Sequence, residues 1–113
     1  MIIFHNPRCQ TSQAALRLLN EQCEVPVTVR EYLKEPLNQK ELTEIIKKLG
    51  IKPEELLRKT EALYKESYKD KELSDKEWIK IMSENPILIQ RPIIVSGNKA
   101  IVARPPEKVM EIL

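Results

Sequence analysis

The N-terminal segment most constrains the fold, because its pattern changes from that of a strand to that of a helix within a few residues. Ile2-Ile3-Phe4 is a short apolar run that predicts a buried strand. The polar octet that follows ends in an amphipathic helix, so the sequence predicts a cysteine, Cys9, at a strand-to-helix turn. The octet is His5-Asn6-Pro7-Arg8-Cys9-Gln10-Thr11-Ser12, and one face of the helix is formed by Ser12, Ala15, Leu16, Leu19 and Cys23.

A cysteine at the start of a helix is predisposed to be reactive. The first helical turn presents free backbone N–H groups and the positive end of the helix dipole, and both favour thiolate over thiol. Most free cysteines are small, buried, apolar side chains, but the neighbours of Cys9 are polar and Arg8 adds a positive charge. We therefore interpret Cys9 as a nucleophile.

Three neighbours of Cys9 have roles that their residue types suggest. Two of them, Ser12 and His5, each have two possible roles. Ser12 could donate a hydroxyl hydrogen bond to the sulfur, or could simply cap the helix. His5 is the single histidine; it could lower the pKa of the thiol or carry a proton, or it could be a strand-end residue that hydrogen-bonds the loop. Asn6 can tie the turn through its side-chain amide. The spacing of these residues leaves the alternatives open.

The second cysteine does not qualify as a resolving thiol. Cys23 is fourteen positions from Cys9, which is about 20 Å along a helix at about 1.5 Å per residue. A disulfide needs Cα atoms within about 7 Å of each other. Cys23 also lies on the apolar face, so we expect core packing, and the electrons for any redox step at Cys9 must come from another molecule.

The rest of the chain predicts the order β-α-β, a group of helices, and then β-β-α. The segment Val25–Arg30 reads as a second strand parallel to the first, and a hairpin turns at Gly97-Asn98 before a terminal helix that opens at Pro105-Pro106. This order is the thioredoxin-like α/β arrangement: a four-stranded mixed sheet flanked by helices. We expect a single domain over residues 1–113, with a helical insertion at about 38–86.

The insertion carries strong helix signals. Asn38 with Glu41, and Ser74 with Glu77, form two capping boxes. Gly50 ends the first of these helices, and a short helix starts at Pro53. The charged stretch 59–72 predicts a surface loop with a short helical turn. In the second capped helix the predicted buried face comprises Trp78, Ile81 and Met82.

Composition and net charge limit the classes of function that the chain can have. A net charge of +2 in 113 residues argues against nucleic-acid binding, and no apolar run approaches the length of a membrane span. The chain begins almost directly with a strand and shows no signal peptide, so we expect a cytoplasmic protein with reduced thiols. One histidine and two cysteines are too few for a typical zinc site. We therefore expect no bound metal or organic cofactor. We also expect a monomer.

Taken together, the motifs resemble the glutaredoxin-dependent arsenate reductase family, ArsC. The octet is similar to the HNPxCxxS signature of that family, and the resemblance runs through essentially the whole chain. The further matching segments are Tyr32-Leu33, Leu56-Leu57-Arg58-Lys59, Asn85-Pro86-Ile87-Leu88-Ile89-Gln90-Arg91-Pro92-Ile93 and Ala103-Arg104-Pro105.

The resemblance implies a reaction and a site. The cysteine at position 9 would attack arsenate to form a thiol–arsenate adduct, with Arg58, Arg91 and Arg104 holding the oxyanion and glutathione and glutaredoxin supplying electrons. The residues at His5 and Ser12 would keep the thiol ionised, and Asn6 would complete the binding loop. The thioredoxin-like fold implies a cis-proline at Arg91-Pro92 that faces the thiol. Each arginine taken alone is more often a surface charge.

Two departures from the family keep alternatives open. The chain ends soon after Arg104, whereas known reductases of the family often carry a longer tail. Spx-type regulators share the fold and bind RNA polymerase, but they carry a CxxC switch, which Ser12 breaks here. The alternatives are therefore a glutaredoxin-like thiol-transferase of unknown substrate and an Spx-like regulator.

Overall fold

Four short strands form one mixed sheet in the computed structural model, which describes every residue from Met1 to Leu113. The strand order is β2-β1-β3-β4, with β1 parallel to β2 and antiparallel to β3, and β3 antiparallel to β4. The predicted parallel pairing of the first two strands is confirmed. The strands are β1 (Ile2–His5), β2 (Thr28–Glu31), β3 (Ile93–Ser96) and β4 (Lys99–Val102).

The chain divides into two compact units that interleave in sequence. Unit 1 comprises Met1–Glu35 and Arg91–Leu113 and holds the sheet. Unit 2 comprises Pro36–Gln90 and is helical. The predicted helical insertion at residues 38–86 falls inside unit 2.

Helix α1 (Gln10–Gln22) supplies much of the core of unit 1. The fully buried residues of this core are apolar, and Leu16 and Cys23 are partly buried against them, so the predicted helix face is correct. The core residues are Ile3, Ala15, Leu19, Ile94, Ala103, Val109 and Ile112.

Two elements of unit 1 differ from their predictions. Strand β2 begins at Thr28 rather than Val25, because Pro26 has no N–H to donate to a strand ladder. The terminal helix is a 3-10 helix over Pro106–Glu111 rather than an α-helix. Its hydrogen bonds, such as Lys108 N–H to Pro105 O at 3.1 Å, span three residues.

Unit 2 follows its local sequence signals closely. Both predicted capping boxes are present, at the starts of the first and last α-helices of the unit, and Gly50 ends the first in the left-handed conformation with φ 68°. The elements are α2 (Gln39–Leu49), a 3-10 helix (Pro53–Leu56), α3 (Ala62–Ser67), α4 (Asp75–Glu84) and a 3-10 helix (Pro86–Leu88).

One predicted core position in unit 2 is wrong. Helix α4 buries Trp78, Ile79 and Met82, whereas Ile81 is only partly buried. Trp78 and Met82 are one turn apart and define the buried face. Ile79 and Ile81 lie on opposite sides of that face. Helical spacing alone did not show which side is buried. None of the helices in either unit has the length and apolarity that crossing a bilayer requires.

Candidate active site

The register of the sheet brings three separate chain segments to one edge of unit 1. Phe4 pairs with Ile93, and Ile93 pairs with Val102. The residues that follow β1, precede β3 and follow β4 therefore share this edge. The Ala103 N–H donates to Pro92 O at 2.9 Å and extends the β3–β4 ladder by one step. Residues 6–9, Arg91 and Arg104 are brought together in this way.

The turn that presents Cys9 is held by local hydrogen bonds. The Cys9 N–H donates to Asn6 O at 3.0 Å, and the Arg8 N–H donates to Asn6 Oδ1 at 3.0 Å, so Asn6 ties the turn as its residue type predicts. The side-chain amide of Gln13 donates to the Pro7 carbonyl. Gln13 was missed by the sequence reasoning, because an exposed glutamine in the first turn of a helix carries no signal of such a contact.

Cys9 itself is the residue that precedes α1. Its backbone is extended, with φ −95° and ψ 121°, and no oxygen-bearing side chain caps the helix at this position. Helix starts are usually capped by an oxygen-bearing side chain that takes up free N–H groups. At α1 the residue in the capping position is instead a half-buried thiol.

Donors and cations surround the sulfur. Burial raises the pKa of the Cys9 thiol, but hydrogen bonds from the Ser12 backbone N–H and the Arg91 side chain, the positive charge of Arg91, and the Arg104 side chain outweigh burial. The pKa of Cys9 therefore lies below its ordinary value. Arg104 Nη1 is 3.9 Å from Cys9 Sγ. All of these groups stabilise the thiolate rather than the thiol.

The two arginines of unit 1 are also linked to each other. Arg104 Nη1 donates to the Arg91 carbonyl at 3.1 Å. Each arginine precedes a cis-proline, since both Arg91-Pro92 and Arg104-Pro105 are cis. The cis bond at Arg91-Pro92 agrees with the expectation from the thioredoxin-like arrangement.

The Ser12 hydroxyl does not point its hydrogen bond at the sulfur. Ser12 Oγ lies 2.7 Å from His5 Nδ1 and accepts from the Asn6 N–H at 3.0 Å. The contact to Cys9 comes from the Ser12 backbone N–H. The side chain therefore connects the end of β1 to the start of α1, a structural role that the sequence left open beside the direct contact.

His5 faces this hydroxyl as a neutral imidazole. Burial lowers the pKa of His5 and the nearby charge of Glu31 partly offsets that effect, so the pKa lies below its ordinary value of 6.5. A hydroxyl can both donate and accept, so Ser12 Oγ can pair with either neutral tautomer of the His5 ring. At neutral pH His5 is thus an uncharged hydrogen-bond partner of Ser12 rather than a cation beside the thiol.

The contacts of Cys23 and Arg58 are with other residues. Cys23 follows the last residue of the 13-residue helix α1, about 20 Å from its start, and its Sγ lies 3.4 Å from Val25 O. Arg58 belongs to unit 2, where its Nε is 3.3 Å from Glu61 Oε1 and its backbone N–H donates to Leu88 O. Its place in an oxyanion site stays a prediction.

The arrangement suits one kind of chemistry. A thiol with a lowered pKa lies at the start of a helix, next to two guanidinium groups. A tetrahedral oxyanion is the ligand that backbone N–H groups and arginine side chains bind best. A nucleophile inside such a cradle can attack the central atom of the bound anion.

Comparison with known proteins assigns this chain to a family. The sequence profile of the ArsC family matches residues 4–112. The chain belongs to the ArsC family. It is 43% identical to the uncharacterized protein YfgD of Escherichia coli K12, over 98% of this chain and 94% of that protein. It is 42% identical to the arsenate reductase of Haemophilus influenzae, over 100% of this chain and 98% of that protein.

A solved structure supports the same assignment. The arsenate reductase from Vibrio cholerae superposes with a TM-score of 0.93 at 39% identity, over 99% of this chain and 96% of that one. This likeness confirms the predicted α/β, thioredoxin-like fold of the ArsC family.

Proposed function

We propose that this protein is an arsenate reductase in which Cys9 is the nucleophile. The observation that carries the proposal is the Cys9 sulfur at the start of α1, with Arg104 Nη1 at 3.9 Å and Arg91 beside the same sulfur, where both lower the pKa of the thiol. Sequence relatives named arsenate reductase, at about 40% identity over the whole chain, support the same activity.

In the first step the Cys9 thiolate attacks the arsenic atom of bound arsenate. A sulfur–arsenic bond forms, and one oxygen leaves as water after it takes up protons. Arsenic stays pentavalent in this step. Arg91 and Arg104 neutralise the charge on the remaining oxygens, and the N–H groups at the start of α1 contribute further donors. Arg58 is the third oxyanion ligand.

The second step is the reduction. An external thiolate attacks Cys9 Sγ, forming a mixed disulfide and breaking the sulfur–arsenic bond. The bonding electron pair remains on arsenic, which becomes trivalent and leaves as arsenite after protonation. A second thiol then releases Cys9 by exchange. Because Cys9 and Cys23 lie at opposite ends of α1, the chain cannot supply the second sulfur itself.

The external thiol in this proposal is glutathione, with glutaredoxin completing the exchange. No metal or organic cofactor takes part in these steps, since each electron pair moves between sulfur and arsenic. A reaction of this kind needs free thiols, so we place it in the reducing cytoplasm.

The decisive experiment measures arsenite formation by the purified protein with arsenate, glutathione, glutaredoxin, glutathione reductase and NADPH. Cys9→Ser should reduce the rate at least about a thousandfold, because an alcohol is a far weaker nucleophile at neutral pH. Cys23→Ser is the matched control and should keep the rate within about twofold. Arsenite formation by Cys9→Ser at the wild-type rate would contradict the proposal.

A further inference from the structure

A charged cleft lies beside the turn that presents Cys9. It has a volume of about 200 Å³, and its walls include the residues immediately before the nucleophile. Since consecutive Cα atoms are about 3.8 Å apart, the backbone of Arg8, which lines this cleft, directly adjoins that of Cys9. The cleft is lined by Asn6, Pro7, Arg8, Glu31, Leu33 and Lys34, and we call it the Arg8–Lys34 cleft.

The oxyanion ligands lie outside the Arg8–Lys34 cleft. Neither Arg91, Arg104 nor Ser12 contributes to its walls. A molecule in this cleft therefore does not compete with arsenate for the same donors. The reaction proposed above needs such a second position, because the adduct on Cys9 must stay in place while an external thiol approaches the sulfur.

The cleft carries three charges of defined sign. Arg8 and Lys34 are cations and Glu31 is an anion. Lys34 Nζ lies 3.7 Å from Glu31 Oε1, with the two side chains 78% and 40% exposed. An ion pair this open to water contributes little, so both groups are available to a ligand. Leu33, which is 40% exposed, adds an apolar wall.

We propose that the Arg8–Lys34 cleft binds the thiol reductant, a glutathione-type tripeptide, during the second step. This rests on the proposed function. Glutathione carries two carboxylates and one ammonium group at neutral pH, which complement two cations and one carboxylate in number and sign. Carboxylates bound by Arg8 and Lys34 form charge-assisted contacts, and the ammonium group pairs with Glu31.

The role of the cleft is to hold the tripeptide while its thiolate attacks Cys9 Sγ. The sulfur–sulfur bond forms, the sulfur–arsenic bond breaks, and the electron pair goes to arsenic. The same contacts hold glutathione when Cys9 attacks glutathione disulfide, in which case one glutathione thiolate leaves and the tripeptide stays on Cys9. This exchange needs no arsenate and isolates binding in the cleft from arsenate reduction.

The test is the rate at which Cys9 is glutathionylated by glutathione disulfide, relative to its reaction with the uncharged 2-hydroxyethyl disulfide, followed by intact-protein mass spectrometry. The ratio of the two rate constants removes any change in the reactivity of Cys9 itself. Lys34→Glu should lower this ratio about threefold to tenfold, since attraction at an exposed site becomes repulsion. Lys34→Arg should keep the ratio, and so should Lys108→Glu, a control at an exposed lysine outside the cleft.

The proposed cleft is overturned if Lys34→Glu leaves the ratio unchanged. It is also overturned if Lys108→Glu lowers the ratio as much as Lys34→Glu does, because the ratio would then depend only on the net charge of the protein. The proposed function is tested separately. If the wild-type protein forms no arsenite with any thiol but shows the expected ratios, arsenate reduction fails while the cleft stands.

Discussion

The starts of α1 and of the two capped helices in unit 2 are built in opposite ways. Helices α2 and α4 begin with Asn38 and Ser74, whose side chains accept from the N–H three residues on, and each has acidic residues in its first turn. Helix α1 begins with Cys9, which has a sulfur in place of a capping oxygen, and has no acidic residue in its first turn. The capped helices satisfy their own free N–H groups, whereas α1 leaves them for a sulfur or an anion.

Buried polar groups show the same contrast between the units. The buried polar side chains are His5, Asn6 and Ser12, which are 7%, 7% and 0% exposed. All three belong to unit 1 and lie within four residues of Cys9. The buried residues of unit 2 are hydrophobic. A helix start that departs from the local rules, supported by buried polar groups, therefore marks the candidate site.

The largest effect should come from the guanidinium groups near the uncapped helix start. Arg91→Ala should lower kcat/KM for arsenate roughly a hundredfold, because a donor to the developing charge is lost. Arg91→Lys keeps the charge without the planar fork and should lie between wild type and Arg91→Ala. Steady-state arsenite formation measures this, with Arg17→Ala, an exposed position on α1, as the control. If Arg17→Ala lowered kcat/KM as much as Arg91→Ala, the assignment of Arg91 to the oxyanion site would be contradicted.

The buried serine of α1 should matter more to stability than the exposed caps of unit 2. Ser12→Ala leaves the Asn6 N–H and His5 Nδ1 without the oxygen that they share. We expect the free energy of unfolding to fall by about 2 kcal/mol, the cost of unsatisfied buried polar groups. Urea denaturation followed by circular dichroism gives the value. A loss under about 0.5 kcal/mol would contradict the structural role of this hydroxyl.

The matched change in unit 2 should be smaller. Asn38→Ala removes the acceptor of the Glu41 N–H, a contact of 2.8 Å at the surface. Because water replaces the lost partner, we expect a loss of about 1 kcal/mol in the free energy of unfolding. Gln39→Ala, at the next exposed position, serves as the control. If Asn38→Ala cost more than Ser12→Ala, the contrast between buried and exposed helix starts would be reversed.

The smallest effect should come from Arg104, which is exposed to water, and should appear in the pH dependence of Cys9 alkylation. Thiolate is the form that alkylates, so the rate of Cys9 alkylation should rise with pH through a midpoint below that of an ordinary thiol, because the pKa of Cys9 is lowered. Arg104→Ala removes a cation that stabilises the thiolate, so the midpoint should move upward. Its exposure to water limits the shift. A downward movement of the midpoint would reverse the assigned sign of this interaction.

Prediction from sequence worked best where local chemistry decides the structure. The capping boxes at Asn38 and Ser74, the turn at Gly97 and the helix after Cys9 all rest on contacts within four residues of each other. It failed where side chains occupy nearly equivalent positions: Ile79 rather than Ile81 is buried on α4. It left the role of Ser12 open, and the structure shows that Ser12 Oγ bonds to His5.

The sequence by itself predicted Cys9 as the nucleophile, and it determined the succession of strands and helices and the lack of a second thiol beside Cys9, since each follows from residue type and short-range spacing. Only the tertiary structure decided which distant groups meet that nucleophile. Arg104 is 95 positions from Cys9, yet its Nη1 lies 3.9 Å from the sulfur. The cause is the antiparallel register of β3 and β4 beside β1, which depends on backbone hydrogen bonds between segments far apart in the chain.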